Sequence, residues 1–170
     1  MPRLHVCSLS RVAETVRATG ARSLVTLINL DTIVSRPAEI DAERHLFIGM
    51  SDIMEPLDGH ILPAEKHVLQ LIEFAKVWDR NEPLVIHCHA GVSRSTAAAF
   101  VIACALAPSR RESEIADAIR QASHTATPNR RMVAIADTML KRGGRMSAAI
   151  ERIGRGSDCY EGVPFVLELT

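Results

Sequence analysis

The stretch Val85–Thr96, VIHCHAGVSRST, places a cysteine, Cys88, and an arginine, Arg94, on either side of a glycine, Gly91. The short apolar run Leu84–His87 reads as a strand ending at the cysteine, and Thr96–Ala107 (TAAAFVIACALA) reads as a buried helix beyond the arginine. A strand that feeds a tight loop into a helix start builds an anion site. The loop N–H groups converge, and the helix dipole adds partial positive charge. Gly91 permits a backbone conformation, or a close approach, that a side chain would obstruct. Arg94 can reach over such a bowl and grip two oxygens of an oxyacid group. An arginine at a helix start is unfavourable unless an anion is present, so its position supports this role over that of a surface cation. Cys88 in that field favours the thiolate form, the nucleophilic one, and sits where it can attack phosphorus. The plainer alternative is a buried structural thiol at a strand end.

The nine residues His87-Cys88-His89-Ala90-Gly91-Val92-Ser93-Arg94-Ser95 resemble the H-C-x-x-G-x-x-R-[ST] signature of the cysteine-based protein tyrosine phosphatases. The likeness is greatest to the small dual-specificity-like branch and extends more loosely from Ser23 to Leu140. Thr127-Pro128-Asn129 is similar to the Pro-Asn turn before the last helix of those proteins. The resemblance implies two steps through a phosphocysteine on Cys88. Arg94 and the backbone of His89, Ala90, Gly91, Val92 and Ser93 would hold the phosphoryl oxygens. Ser95 would stabilise the thiolate as it leaves, and His87 would be structural, behind the cysteine. The mechanism needs no metal and no cofactor. A general acid is also implied, an Asp some thirty residues before the cysteine. Asp52 lies 36 residues before Cys88 and Asp58 lies 30 before it. Asp52, at the end of the predicted strand His45–Met50, is preferred because a strand end holds a group more firmly than a loop tip. Asp58, in a Gly-flanked loop, is the alternative.

The expected activity is therefore that of a phosphoric monoester hydrolase, a tyrosine or dual-specificity phosphatase acting on a phosphorylated protein or other phosphomonoester. The alternative is a catalytically weak phosphate-binding module that recognises phosphorylated partners. Sulfur transfer and arsenate reduction fit less well, since no second cysteine holds a convincing resolving position. A multiply charged lipid head group also fits less well, because the loop interior carries no lysine. Arg130 and Arg131 follow the Pro-Asn turn near the expected cleft mouth.

These residues must be positioned by the rest of the chain. Leu4–Cys7, Ser23–Leu30 and His45–Met50 read as further strands. Helices are predicted after Ser10, over Ala64–Trp78, over Glu112–Ser123, from Pro128 to Leu140, and over Ser147–Ile153. Pro164–Leu169 reads as a terminal strand or a packed tail. The pattern implies an α/β fold, a mostly parallel central sheet of about four to five strands with helices on both faces. One domain over residues 1–170 is expected, with 143–170 a C-terminal extension of uncertain role.

Composition narrows the partners. Lys plus Arg equals Asp plus Glu at 20 each, so the net charge is zero. Nothing draws the whole molecule to nucleic acid or to a membrane surface, and any anion site must be local. The four cysteines are scattered, without a Cys-x-x-Cys pair, and no apolar run is long enough for a signal or a membrane span. A cytoplasmic location with reduced thiols is the expectation. Only 4% of residues are aromatic, so a deep ring-walled slot is hard to build and a shallower, permissive pocket is expected.

Overall fold

A computed structural model describes residues 1–170. Five strands form one sheet: β1 (Arg3–Ser8), β2 (Ser23–Ile28), β3 (His45–Gly49), β4 (Leu84–Cys88) and β5 (Phe165–Glu168). Their order is β3-β2-β4-β1-β5. The first four are parallel to their neighbours, and β5 pairs antiparallel with β1. β2 and β4 are buried along their whole length, as their continuous apolar sequences require.

Six helices follow the predicted places: α1 (Val12–Thr19), α2 (Glu65–Val77), α3 (Arg94–Leu106), α4 (Glu112–Ala122), α5 (Arg130–Met139) and α6 (Arg145–Ile153). Both faces of the sheet are covered, but unequally. Val12 and Val16 of α1, with Ile40, close a small cluster over Cys7, Leu24 and Val85. The other face carries the main core, where Leu4, Val25, Leu27 and Ile86 meet α2 to α6. Apolar side chains of β1, β2 and β4 divide between the two clusters, as the period of two dictates. Helix α3 lies at the centre of the main core. Its alanines at 97, 98, 99 and 103 are all fully buried.

Three local departures from the expected pattern have physical causes. Helix α3 begins at Arg94 rather than Thr96, so Arg94 and Ser95 belong to its first turn. Ser10 caps no helix: a short 3-10 turn over Leu9–Arg11 precedes α1, and the Ser10 hydroxyl donates instead to Glu161. The C-terminal extension, whose role the sequence left open, packs as helix α6 and strand β5. Buried Asp137 of α5 accepts from the N–H groups of Gly144, Met146 and Ser147 at 2.7, 2.7 and 3.1 Å. It thereby caps α6 from a neighbouring helix, where the residue at the cap position, Gly144, has no side chain to do so. Beyond α6, Phe165 and Leu167 of β5 enter the main core.

Candidate active site

Cys88 ends β4 and Arg94 starts α3, so the loop between them stands at the carboxyl end of the parallel sheet. In α/β sheets that edge is where ligands bind. Gly91 has φ +71°, and a Cβ there would lie 2.8 Å from both Cys7 C and Ser8 N. Only glycine suits the conformation and lets the loop lie against the end of β1.

Four of the loop carbonyls are turned outward and bonded to surrounding segments. His89 O accepts from Leu9 N at 3.1 Å, Ala90 O from Gly162 N at 2.8 Å, and Val92 O from Thr127 N at 2.9 Å. Ser93 O accepts from Ala97 N at 3.0 Å and Asn129 N at 3.2 Å. Thr96 Oγ1 adds bonds to Val92 O and Ser93 O at 2.6 and 3.0 Å. A trans peptide points its C=O and N–H in opposite directions. Holding these carbonyls outward therefore aims the N–H groups of Ala90, Gly91, Ser93 and Arg94 to the loop interior. None of the N–H groups from His89 to Ser93 donates to another backbone group.

Arg94 is buried, and its guanidinium is braced from one side. Nη1 donates to Asn29 Oδ1 and Met50 O, both at 2.8 Å. Its Nε–H is buried without a protein partner. An unpaired buried donor on a cation carries a large desolvation cost, which an oxyanion in the loop would remove. Cys88 is 2% exposed, and Ser95 Oγ lies 3.1 Å from its Sγ.

His87 is fully buried behind the loop. Its Nδ1 lies 3.1 Å from Cys88 O and its Nε2 lies 2.7 Å from Thr26 Oγ1, which is 2.8 Å from His45 Nε2. Because Cys88 O can only accept, Nδ1 carries the proton. Thr26 must then donate to His87 Nε2 and accept from His45. Burial pulls the imidazole pKa down to about 4, so the ring is neutral at pH 7. His87 thus steadies the cysteine backbone as a neutral donor. The other buried thiols are inert. Burial pushes both Cys7 and Cys104 up to about 12, whereas Cys159 is exposed.

The two candidate acids occupy different places. Ser51 and Ile61 pair through backbone and side chain, closing the loop between them at its base. Asp52 stands next to that base. Its Oδ1 accepts from Ser93 Oγ at 2.7 Å and from Asn129 Nδ2 at 2.9 Å. Asp58 lies in the exposed turn at the loop's far end and makes no bond to the Cys88–Arg94 segment. His89 is exposed at the rim, as expected for a residue whose backbone rather than side chain faces inward.

A cleft of about 400 Å³ opens beside the loop. Asp52, Ser93, Asn129, Arg130 and the segment Arg155–Cys159 are among the residues that line it. No aromatic ring lines it. Arg131, by contrast, is used structurally: its Nε donates to Pro63 O at 2.7 Å. Asn29, Ser93 as an Asp52 partner, and the C-terminal residues Glu161 and Gly162 bond in and around this loop, contacts that the sequence did not signal. The Pro-Asn turn was the one visible signal for Asn129. No group of three or more His, Cys, Asp or Glu side chains is arranged to hold a metal ion. No helix is long and apolar enough to cross a membrane.

No curated protein matches the chain in sequence. Among solved structures, it is similar to the PTP-2 phosphatase of Cydia pomonella at 20% identity and TM-score 0.62, over 79% of this chain and 84% of that one. It is also similar to DUSP15 at 16% identity and TM-score 0.62, over 89% and 92%. Human DUSP28 matches at 14% identity and TM-score 0.63, over 82% and 92%. At these identities the likeness is one of fold. A family model described as "Tc-R-P: Polymorphic toxin system, DSP-PTPase phosphatase" matches residues 7–111, more than half of the chain and all of the Cys88–Arg94 loop. With that match and the shared fold, the chain belongs to this DSP-PTPase phosphatase family, within the cysteine-based tyrosine phosphatase superfamily and close to the small dual-specificity enzymes.

Proposed function

We propose that this phosphatase hydrolyses phosphomonoesters, phosphorylated proteins among them, through a covalent phosphocysteine on Cys88. The observation that carries the reading is Arg94, a buried guanidinium with an unpartnered Nε–H beside a loop in which the carbonyls of His89, Ala90, Val92 and Ser93 are held outward. In the first step the Cys88 thiolate attacks phosphorus and the bond to the leaving oxygen breaks. Asp52 gives that oxygen a proton. The inward N–H groups of the loop and Arg94 hold the three equatorial oxygens, where transition-state charge lies. In the second step Asp52, now a carboxylate, takes a proton from water as it attacks phosphorus. The S–P bond breaks, and Ser95 donates to the departing thiolate. Asp52 is favoured over Asp58 because Ser93 and Asn129 both hold its Oδ1, leaving Oδ2 for the transferred proton.

The absence of an aromatic ring from the cleft favours a permissive substrate range over a phosphotyrosine slot. We include residues 143–170 in the same working unit, since α6 is capped by α5 and β5 extends the sheet. The test is turnover of para-nitrophenyl phosphate by wild type and Cys88→Ser. Loss of activity in the variant, with a phosphoenzyme trapped on Cys88 in the wild type, is expected. Equal activity of the two proteins overturns the assignment.

A further inference from the structure

The segment between α6 and β5, Gly154–Gly162, lies against the rim of the loop. At its near end, Gly156 N donates to Thr127 Oγ1 at 3.0 Å and Ser157 N to His124 O at 2.9 Å. At its far end, Gly162 N donates to Ala90 O. A Cβ on Gly162 would stand 3.0 Å from Gly91 O and 3.3 Å from Ala90 O, so a side chain there would press on both carbonyls and shift them by a few tenths of an ångström. The neighbouring Glu161 carboxylate accepts from the hydroxyls of Ser8 and Ser10. Ser8 is fully buried and stands in register with Cys88. The last strand, β5, then runs back along β1.

We propose that this strap is a working part of the oxyanion loop: Glu161 latches it to the end of β1, and Gly162 locks the Ala90–Gly91 peptide so that the Gly91 N–H faces the phosphoryl group. The inference rests on the loop's being the phosphoryl cradle. Its physical basis is the weakness of that one peptide. A peptide plane flips by turning ψ of the residue before it and φ of the residue after it. Where the second residue is glycine, the flipped form meets no Cβ penalty. The Ala90–Gly91 plane is therefore weakly held by its own sterics, and Gly162 is the sole backbone donor to its carbonyl. Without that bond the carbonyl can turn inward. The loop would then lose a donor and present an acceptor to an anion. Glu161 and Gly162 are positioning residues, acting through the loop.

The experiment uses the full chain and the variants Glu161→Ala, Glu161→Gln and Gly162→Ala. It measures kcat and KM for para-nitrophenyl phosphate, the inhibition constant of inorganic phosphate, and the melting temperature. Removing one oxyanion donor outright costs about 10²–10³-fold in kcat, and a partial loss of order should cost about 10-fold. The expected result is a lowered kcat and a comparably weakened hold on phosphate in Glu161→Ala and Gly162→Ala, both still folded. Glu161→Gln keeps an acceptor for the serine hydroxyls and should recover most of the loss. The exposed Glu161 guards against a Gly162 variant that misfolds. Phosphate affinity and kcat unchanged in folded Glu161→Ala would overturn the strap's role. Wild-type binding of inorganic phosphate, abolished in Arg94→Ala, checks the cradle separately. If wild type binds phosphate and the strap variants bind it equally, only the strap inference falls. If wild type does not bind it, the cradle reading falls as well.

Discussion

Asn129 holds Asp52 with one end of its amide and caps helix α5 with the other. Its Nδ2 donates to Asp52 Oδ1 at 2.9 Å, while its own Oδ1 accepts from Met132 N at 3.0 Å. Asn129 is itself 4% exposed. The cap fixes the amide's orientation, and the orientation fixes the carboxylate. Asp52, on an otherwise exposed loop, is thereby tied to a packed helix end.

This relationship separates the two candidate acids. Asp52→Ala should lower kcat for para-nitrophenyl phosphate by about 10²–10⁴-fold and flatten the basic limb of its pH profile. Asp58→Ala should change kcat by less than about 3-fold, since general-acid work requires hydrogen-bond reach of the reacting oxygen. Asn129→Ala should combine a fall in kcat with a stability loss of about 1 kcal/mol from the lost cap, read in a urea titration. A larger defect in Asp58→Ala than in Asp52→Ala would reverse the assignment.

Ser95 is fully buried beside the thiol, so its substitution should act on the thiolate and therefore late. In Ser95→Ala the thiolate would leave phosphorus without a donor, and the second step should slow more than the first. Rapid-quench assays should then show a burst of nitrophenol close to one equivalent, followed by a slow steady state. A uniform slowing without a burst would place Ser95 in the first step instead.

His87 makes stability depend on pH. Its pKa falls from 6.5 to about 4 on folding because burial disfavours the imidazolium. The unfolded chain therefore binds more protons than the native one between those values, and stability rises with pH across that window. The contribution is complete above pH 6.5 and is lost as pH falls toward 4, where the native ring also takes up a proton. The shift corresponds to roughly 3 kcal/mol at most. Urea titrations at pH 7 and pH 4.5 should show a smaller difference in His87→Gln than in wild type. An equal difference in the two proteins would mean that other groups carry the pH dependence.

The boundary between what the chain announces and what folding adds follows from range. Cys88, Gly91, Arg94 and Ser95 are close in sequence, and strand, loop and helix are each local structures. Their residue types alone therefore point to the oxyanion loop proposed above, and the strand and helix periodicities declare the α/β sheet around it. The contacts that orient this loop are long-range. Ser93 and Asn129 reach Asp52 across 41 and 77 positions, and Glu161 reaches Ser8 across 153. No local propensity encodes such pairs, because they depend on which strands become neighbours and on where the loops at their ends meet. Sequence alone left Asp52 and Asp58 both open and saw no role for the tail. Only the tertiary structure stood Asp52 against the Pro-Asn turn and brought Gly162 onto Ala90, because the placement of β5 beside β1 carries the C-terminal segment back to the loop.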